Sequence, residues 1–174
     1  MLDKYIISID PSLSSTGFAV LNERNKDIIM VDKITTTNKK AEEERIYEIA
    51  STLGDICKTF QIKTAVSESQ FYKRNIKTAL QLSRLRGAIT YALKSNNIEK
   101  EIHMEPATIR KFFMDNSKAK KEDIAFEIQR LYIDNELVKN LGEFNDKPCK
   151  NKNSDMYDAI SIGVAYINSI NVTE

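Results

Sequence analysis

The stretch KYIISIDPSLSSTGFAVL, residues 4 to 21, decides how the rest of the chain is read. Lys4 to Asp10 is a short apolar run closed by Pro11 and Ser12, the pattern of a buried strand. After the turn-rich PSLSST, Gly17 to Leu21 and Ile28 to Ile34 read as two more strands. They follow too closely for a helical crossover, so the three strands predict an antiparallel meander. From Ala41 to Phe60 the period changes. Ile46, Ile49, Ala50, Leu53, Ile56, Cys57 and Phe60 recur at helical spacing, and Glu42, Glu43 and Glu44 suit a helix N-terminus. A strand at Thr64 to Glu68, a helix from Asn75 to Leu93 and a strand at Glu101 to Glu105 follow. Short helices at Thr108 to Phe113 and Lys121 to Tyr132 and a final helix from Ser154 to Ile167 complete the chain. The expected fold class is α/β: a five-stranded mixed sheet, meander first and parallel strands after, flanked by helices. The stretch from Asn140 to Asn153 is the one long loop.

At 174 residues the expectation is one domain, 1–174, able to bury a core without disulfides or a structural metal. No apolar run approaches the ~18 residues of a membrane span, and no signal peptide precedes the first strand, so a cytoplasmic protein without membrane contact is expected. Cys57 and Cys149 show no metal-ligand spacing and are too few for a disulfide framework, which fits a reducing compartment. The net charge of +1 argues against a nucleic-acid partner only until it is partitioned. Residues 71 to 121 hold twelve basic side chains against four acidic ones, whereas both flanks are acidic. Between Phe71 and Gly87 the charged residues are Lys73, Arg74, Lys77, Arg84 and Arg86, without one acid. A solvated helix face is as good an account of that run as a DNA-binding surface.

Three placements of acid need a reason. Asp10 ends an apolar strand, where a carboxylate is costly to desolvate without a partner or a cation. An Asx turn in DPS is the alternative. Glu68 repeats the arrangement at the end of AVSE. In SDMYDAISIGVAYI, Asp155 and Asp158 share one face at the start of a nearly all-apolar helix. There the alternative is Asp155 as N-cap with Asp158 at the third helical position, each interacting favourably with the helix dipole. Two strand-end carboxylates and a pair on a late helix together form the oxygen-donor set that Mg²⁺ or Mn²⁺ requires. Two such ions roughly 3.5 to 4 Å apart can activate water and stabilise the leaving oxygen in phosphodiester hydrolysis. The single histidine, His103, cannot support a His-rich zinc site.

IDPSLSSTGFAVL, SESQF, LSRLRGA and SDMYDAISIGVAY, in this order and spacing from Ile6 to Tyr166, resemble the RuvC-type Holliday junction resolvases, nucleases of the ribonuclease H-like fold. The resemblance implies that Asp10, Glu68, Asp155 and Asp158 are metal-binding carboxylates for two Mg²⁺ ions, with Mn²⁺ able to substitute. It further implies a homodimer that nicks opposed strands of a four-way DNA junction, leaving 5′-phosphate and 3′-hydroxyl ends. Phe71 falls where the family has an aromatic that helps hold bases unpaired, although core packing is an equal reading. Arg110 and Lys121 resemble basic residues near the scissile phosphate, where they would neutralise phosphate and transition-state charge. Lys121 is counted with the catalytic residues. Asn75, Arg84 and Arg86 fall beside the DNA-binding face, and Lys73, Arg74, Lys77, Lys118 and Lys120 complete the expected DNA contacts.

Departures from the family pattern are Ser12 after Pro11, Asp115-Asn116-Ser117 in place of a glycine-containing loop, and the 140–153 stretch, which looks like an insertion. They fit a divergent, phage-type member with relaxed sequence preference. An actin-like ATPase would share the strand with Asp and Thr-Gly but needs two lobes, which 174 residues cannot supply. A non-catalytic branched-DNA binder and a nuclease acting on RNA–DNA hybrids remain the alternatives.

Overall fold

In the computed structural model, β1 (Tyr5–Asp10) lies at the centre of a five-stranded sheet ordered β3-β2-β1-β4-β5. Residues 4–69, 76–142 and 153–172 are described. β1 pairs antiparallel with β2 (Ser15–Asn22), which pairs antiparallel with β3 (Ile28–Thr35), so the expected meander is present. On its other edge β1 pairs parallel with β4 (Thr64–Glu68), and β4 pairs parallel with β5 (Lys100–Met104). The helices are α1 (Glu42–Thr59), α2 (Ile76–Ser95), α3 (Pro106–Met114), α4 (Lys121–Leu131), α5 (Glu136–Lys139) and α6 (Ser154–Asn171). Helix α5 falls on a stretch with no sequence-predicted element. It is only four residues long, too short to display a period, and is capped by the Asn135 side chain, which accepts from the Leu137 and Val138 N–H groups. No helix among the described residues is long and apolar enough to cross a membrane.

The alternation of β1 sorts the core into two layers, because successive side chains of a strand point to opposite faces. Ile6 joins Ala19, Leu21, Val66 and the apolar faces of α3, α4 and α6. Ile7 and Ile9 join Phe18, Val20, Ala65 and the buried residues of α1 and α2. Burial of β1 on both faces explains why it reads as a continuous apolar run rather than an alternating one. Ser8, fully buried on the α6 side, donates its hydroxyl to the Ala19 carbonyl at 3.3 Å, and so satisfies the one polar side chain in the middle of the strand.

Helix α6 is buried nearly all round, from Met156 to Ile167. Its position depends on two glycines. A Cβ on Gly17 of β2 would collide with the Asp155 backbone, and one on Gly163 would stand 2.8 Å from Ser8 Oγ. These bare positions let the helix lie directly on β1 and β2.

Candidate active site

The strand register decides where the acids go. Ile9 of β1 is opposite Ser67 of β4, so Asp10 and Glu68 come next, side by side at the carboxyl ends of parallel neighbours. Counting by twos from Ile6 and Val66, both of which face α6, places Asp10 and Glu68 on that same face. Asp10 is also opposite Gly17, the residue on which the first turn of α6 rests. The close approach at Gly17 therefore carries Asp155 and Asp158 up to the two strand-end carboxylates.

The helix begins differently from the N-cap reading. Asn153 is the N-cap, Asp155 is the second helical residue, and Asp158 lies in the following turn. Asn153 is held from two sides, accepting from Lys33 Nζ at 3.0 Å and donating to the Leu141 carbonyl at 2.8 Å. Asp155 therefore lies inside the first turn rather than at the N-cap position. Nor does Asp10 close the DPS turn. Thr16 does so, its hydroxyl accepting from the Ser12 N–H at 3.2 Å and donating to the Ser12 carbonyl at 2.6 Å.

The acids strain one another electrostatically. Burial, then the charges of Asp158 and Glu68, push the Asp10 carboxyl from its ordinary 3.8 up to about 7. Burial and the Asp158 charge raise Glu68, against the lowering influence of Lys121, Arg110 and Arg86. Burial also raises Asp158 despite its ion pair with Lys121. Lys121, the first residue of α4, donates its ammonium to Asp158 Oδ2, its own side chain 62% exposed while that of Asp158 is 13% exposed. Burial pulls the Lys121 ammonium down, but Asp158, Asp10 and Glu68 more than reverse this and raise it.

Four carboxylates with this surplus of negative charge suit a hard divalent cation in donor chemistry. Among the described residues no three Asp, Glu, His or Cys side chains are gathered closely enough to hold one ion as they stand. Lys121 takes the cationic role at Asp158.

The basic residues divide between the two sides of the sheet. Arg110 on α3 is close enough to Glu68 and Asp158 to lower both, and Lys118 and Lys120 are exposed on the connection that leads to Lys121. Arg84 lies on α2, across the sheet from the acids, where it pairs with Glu42 of α1 at 3.0 Å. Lys77 is exposed at the start of α2. Arg86, also on α2, turns inward and donates to the Glu68 main-chain carbonyl. Phe71, Lys73, Arg74 and Asn75 lie outside the described residues, as do Cys149 and 143–152 of the long stretch. Sequence reasoning had no means of singling out Lys33 or Gly17. Both become visible only through register, since Lys33 is opposite Gly17, which is opposite Asp10.

A mixed sheet in the order β3-β2-β1-β4-β5, with acids at the ends of its two central strands and on a helix laid across them, is a ribonuclease H-like fold with a carboxylate site. A solved structure of RuvC from Thermus thermophilus superposes with a TM-score of 0.76 at 17% identity, covering 97% of this chain and 96% of that one. The yeast mitochondrial Holliday junction resolvase Ydc2 superposes with a TM-score of 0.66 at 15% identity, over 95% and 78% of the two chains. A curated crossover junction endodeoxyribonuclease RuvC from Ehrlichia ruminantium (strain Welgevonden) is 32% identical over 170 residues, 95% of this chain and 97% of the relative. The profile of the family described as "Crossover junction endodeoxyribonuclease RuvC" matches residues 6–166, and the chain belongs to that family.

Proposed function

We propose that this protein resolves branched DNA, four-way junctions foremost, as a metal-dependent endonuclease acting by paired symmetric nicking. The observation that carries the reading is the grouping of Asp10, Glu68, Asp155 and Asp158 at one end of the sheet in a chain of this family. These four residues would hold Mg²⁺, two ions per site, with Mn²⁺ able to replace it. Metal held there would supply water activation and charge stabilisation at the scissile phosphate. The chain's own residues do the rest. Lys121, whose ammonium donates to Asp158, would lie beside the scissile phosphate and offset its charge. Arg110, Lys118 and Lys120 extend the positive charge along the same rim, where phosphate contacts fix the DNA without reading its sequence. Attack by water on phosphorus in line with the P–O3′ bond, with the 3′ oxygen leaving and taking up a proton, gives products with 5′-phosphate and 3′-hydroxyl ends.

Resolution of a junction needs two sites, and we take the working unit to be a homodimer of 174-residue nuclease domains. Support comes from α2, which exposes Ile76, Leu80 and Tyr91 and carries at Gly87 a position with open space around it. The free, buried Cys57 is in keeping with a reducing compartment such as the cytoplasm.

The test incubates the protein with a four-way junction, a linear duplex and an RNA–DNA hybrid, each with Mg²⁺ or EDTA. Paired nicks confined to the junction and lost in Asp10→Asn, with binding retained, are expected. Binding without metal-dependent cutting would identify a non-catalytic junction binder, and preference for the hybrid a different nuclease. A monomeric mass by light scattering at assay concentration would refute the dimer.

A further inference from the structure

The carbonyl of Glu68 has lost its place in the sheet. The Ser69 N–H donates to the Met104 carbonyl of β5 at 2.7 Å. Main-chain groups of successive strand residues point to opposite neighbours, so the Glu68 carbonyl faces β1. The register pairs Ile9 with Ser67, which makes residue 11 the next ladder donor on β1. That residue is Pro11, which has no N–H. The guanidinium of Arg86, reaching from α2, donates to the Glu68 carbonyl instead. Arg86 is anchored where it stands. Leu85 and Ile89 on either side of it are buried, and its side chain shares a small cavity with Pro11, Ser67, Glu101 and His103. Its Nε is buried there without a hydrogen-bond partner, a costly placement for a cation whose task is to meet solvent-exposed phosphate.

We infer that Arg86 is a positioning residue rather than a DNA contact: it replaces the ladder donor that Pro11 cannot provide and fixes the backbone at Glu68, so that the carboxylate is aimed at Asp10. The inference rests on the proposed role of Glu68 as a metal ligand. The reach is from the opposite layer of the sheet, so the α1/α2 side of the molecule sets the geometry of a site that lies on the α6 side.

The test compares Arg86→Met, Arg86→Lys, Glu68→Gln and the double variant Arg86→Met/Pro11→Ala with the wild type. Junction affinity is measured in EDTA, the Ca²⁺ concentration for half-maximal thermal stabilisation without DNA, and the Mg²⁺ dependence of cleavage. Supporting groups around metal ligands typically change affinity about 10- to 100-fold. Arg86→Met should therefore shift both metal midpoints upward by about tenfold or more while junction affinity in EDTA changes less than about twofold. Pro11→Ala restores an N–H at the ladder position and should recover part of the loss in the double variant. Should Arg86→Met fail to fold, Arg86→Lys supports the same comparison, since it keeps the charge but loses the planar reach. A fall in EDTA affinity matching the fall in activity would overturn the inference in favour of a DNA contact, as would unchanged metal midpoints. If Glu68→Gln itself leaves the Ca²⁺ response intact, the metal role of Glu68 fails and the inference with it. A lost response in Glu68→Gln beside an unaltered Arg86→Met overturns the Arg86 role alone.

Discussion

Asp10→Asn should make the metal-free protein more stable at pH 8, although it removes the residue on which activity is expected to depend. A carboxyl whose titration is moved from 3.8 to about 7 carries roughly 4 kcal/mol of differential interaction, at about 1.4 kcal/mol per pKa unit. The sign follows from proton binding. Between about pH 4 and 7 the folded state holds a proton at Asp10 that the unfolded state has released, so stability falls as pH rises through that window. The penalty is complete above pH 7 and absent below about pH 4. Asparagine keeps the shape and stays neutral. Relaxation around the wild-type charge will absorb part of the figure, so we expect a gain of about 2 to 3 kcal/mol at pH 8. For a chain of this size that corresponds to roughly 4 to 12 °C in Tm. The assay is thermal unfolding of both proteins in EDTA from pH 4.5 to 8.5, reading the difference between them so that other titrating groups cancel. Saturating Ca²⁺ should narrow the gap, because it binds and stabilises only the protein that retains the ligand. A variant no more stable than wild type at pH 8, or a difference that persists undiminished to pH 4.5, would refute the reasoning.

Three other outcomes can be checked in parallel. Gly17→Ala inserts a Cβ into the Asp155 backbone and should cost about 1 to 3 kcal/mol by denaturant titration while abolishing cleavage, since the first turn of α6 must move. Lys121→Met removes a charge that lowers Asp10, Glu68 and Asp158, so their titrations should rise; the acid limb of any residual pH–rate profile should move to higher pH. Cys57 is buried and its thiol is pushed up to about 12 by burial, so in a Cys149→Ser background it should resist iodoacetamide at pH 8 until the protein unfolds, as mass spectrometry would show.

Much of the fold was legible because strand and helix leave different periods in the sequence. Thr64–Glu68 has its predicted bounds, and the meander and α1 agree to within two residues at each end. The final helix was harder to delimit. Burial on nearly every side removes the polar face that marks a period, and the helix continues four residues beyond Ile167. Its start at Ser154 agrees with the structure, and the alternative of Asp155 as N-cap does not hold, because the N-cap position is Asn153, whose side chain is held by Lys33 from β3. Arg86 illustrates a different limit. The family resemblance suggested it as a phosphate contact, and only the tertiary structure shows its guanidinium donating to the Glu68 carbonyl.

The sequence by itself determined that two strands end in carboxylates, that a third pair opens a late helix, and that the middle of the chain is basic, because alternation, period and charge are local properties. Tertiary structure decided which carboxylates meet and which cations serve them. Those outcomes depend on the parallel register of β1 with β4, on the clearance at Gly17 that admits α6, and on which side of the sheet each arginine lies. Each is a relation between segments far apart in the chain, fixed by packing against a shared sheet, and no local pattern of residues records it.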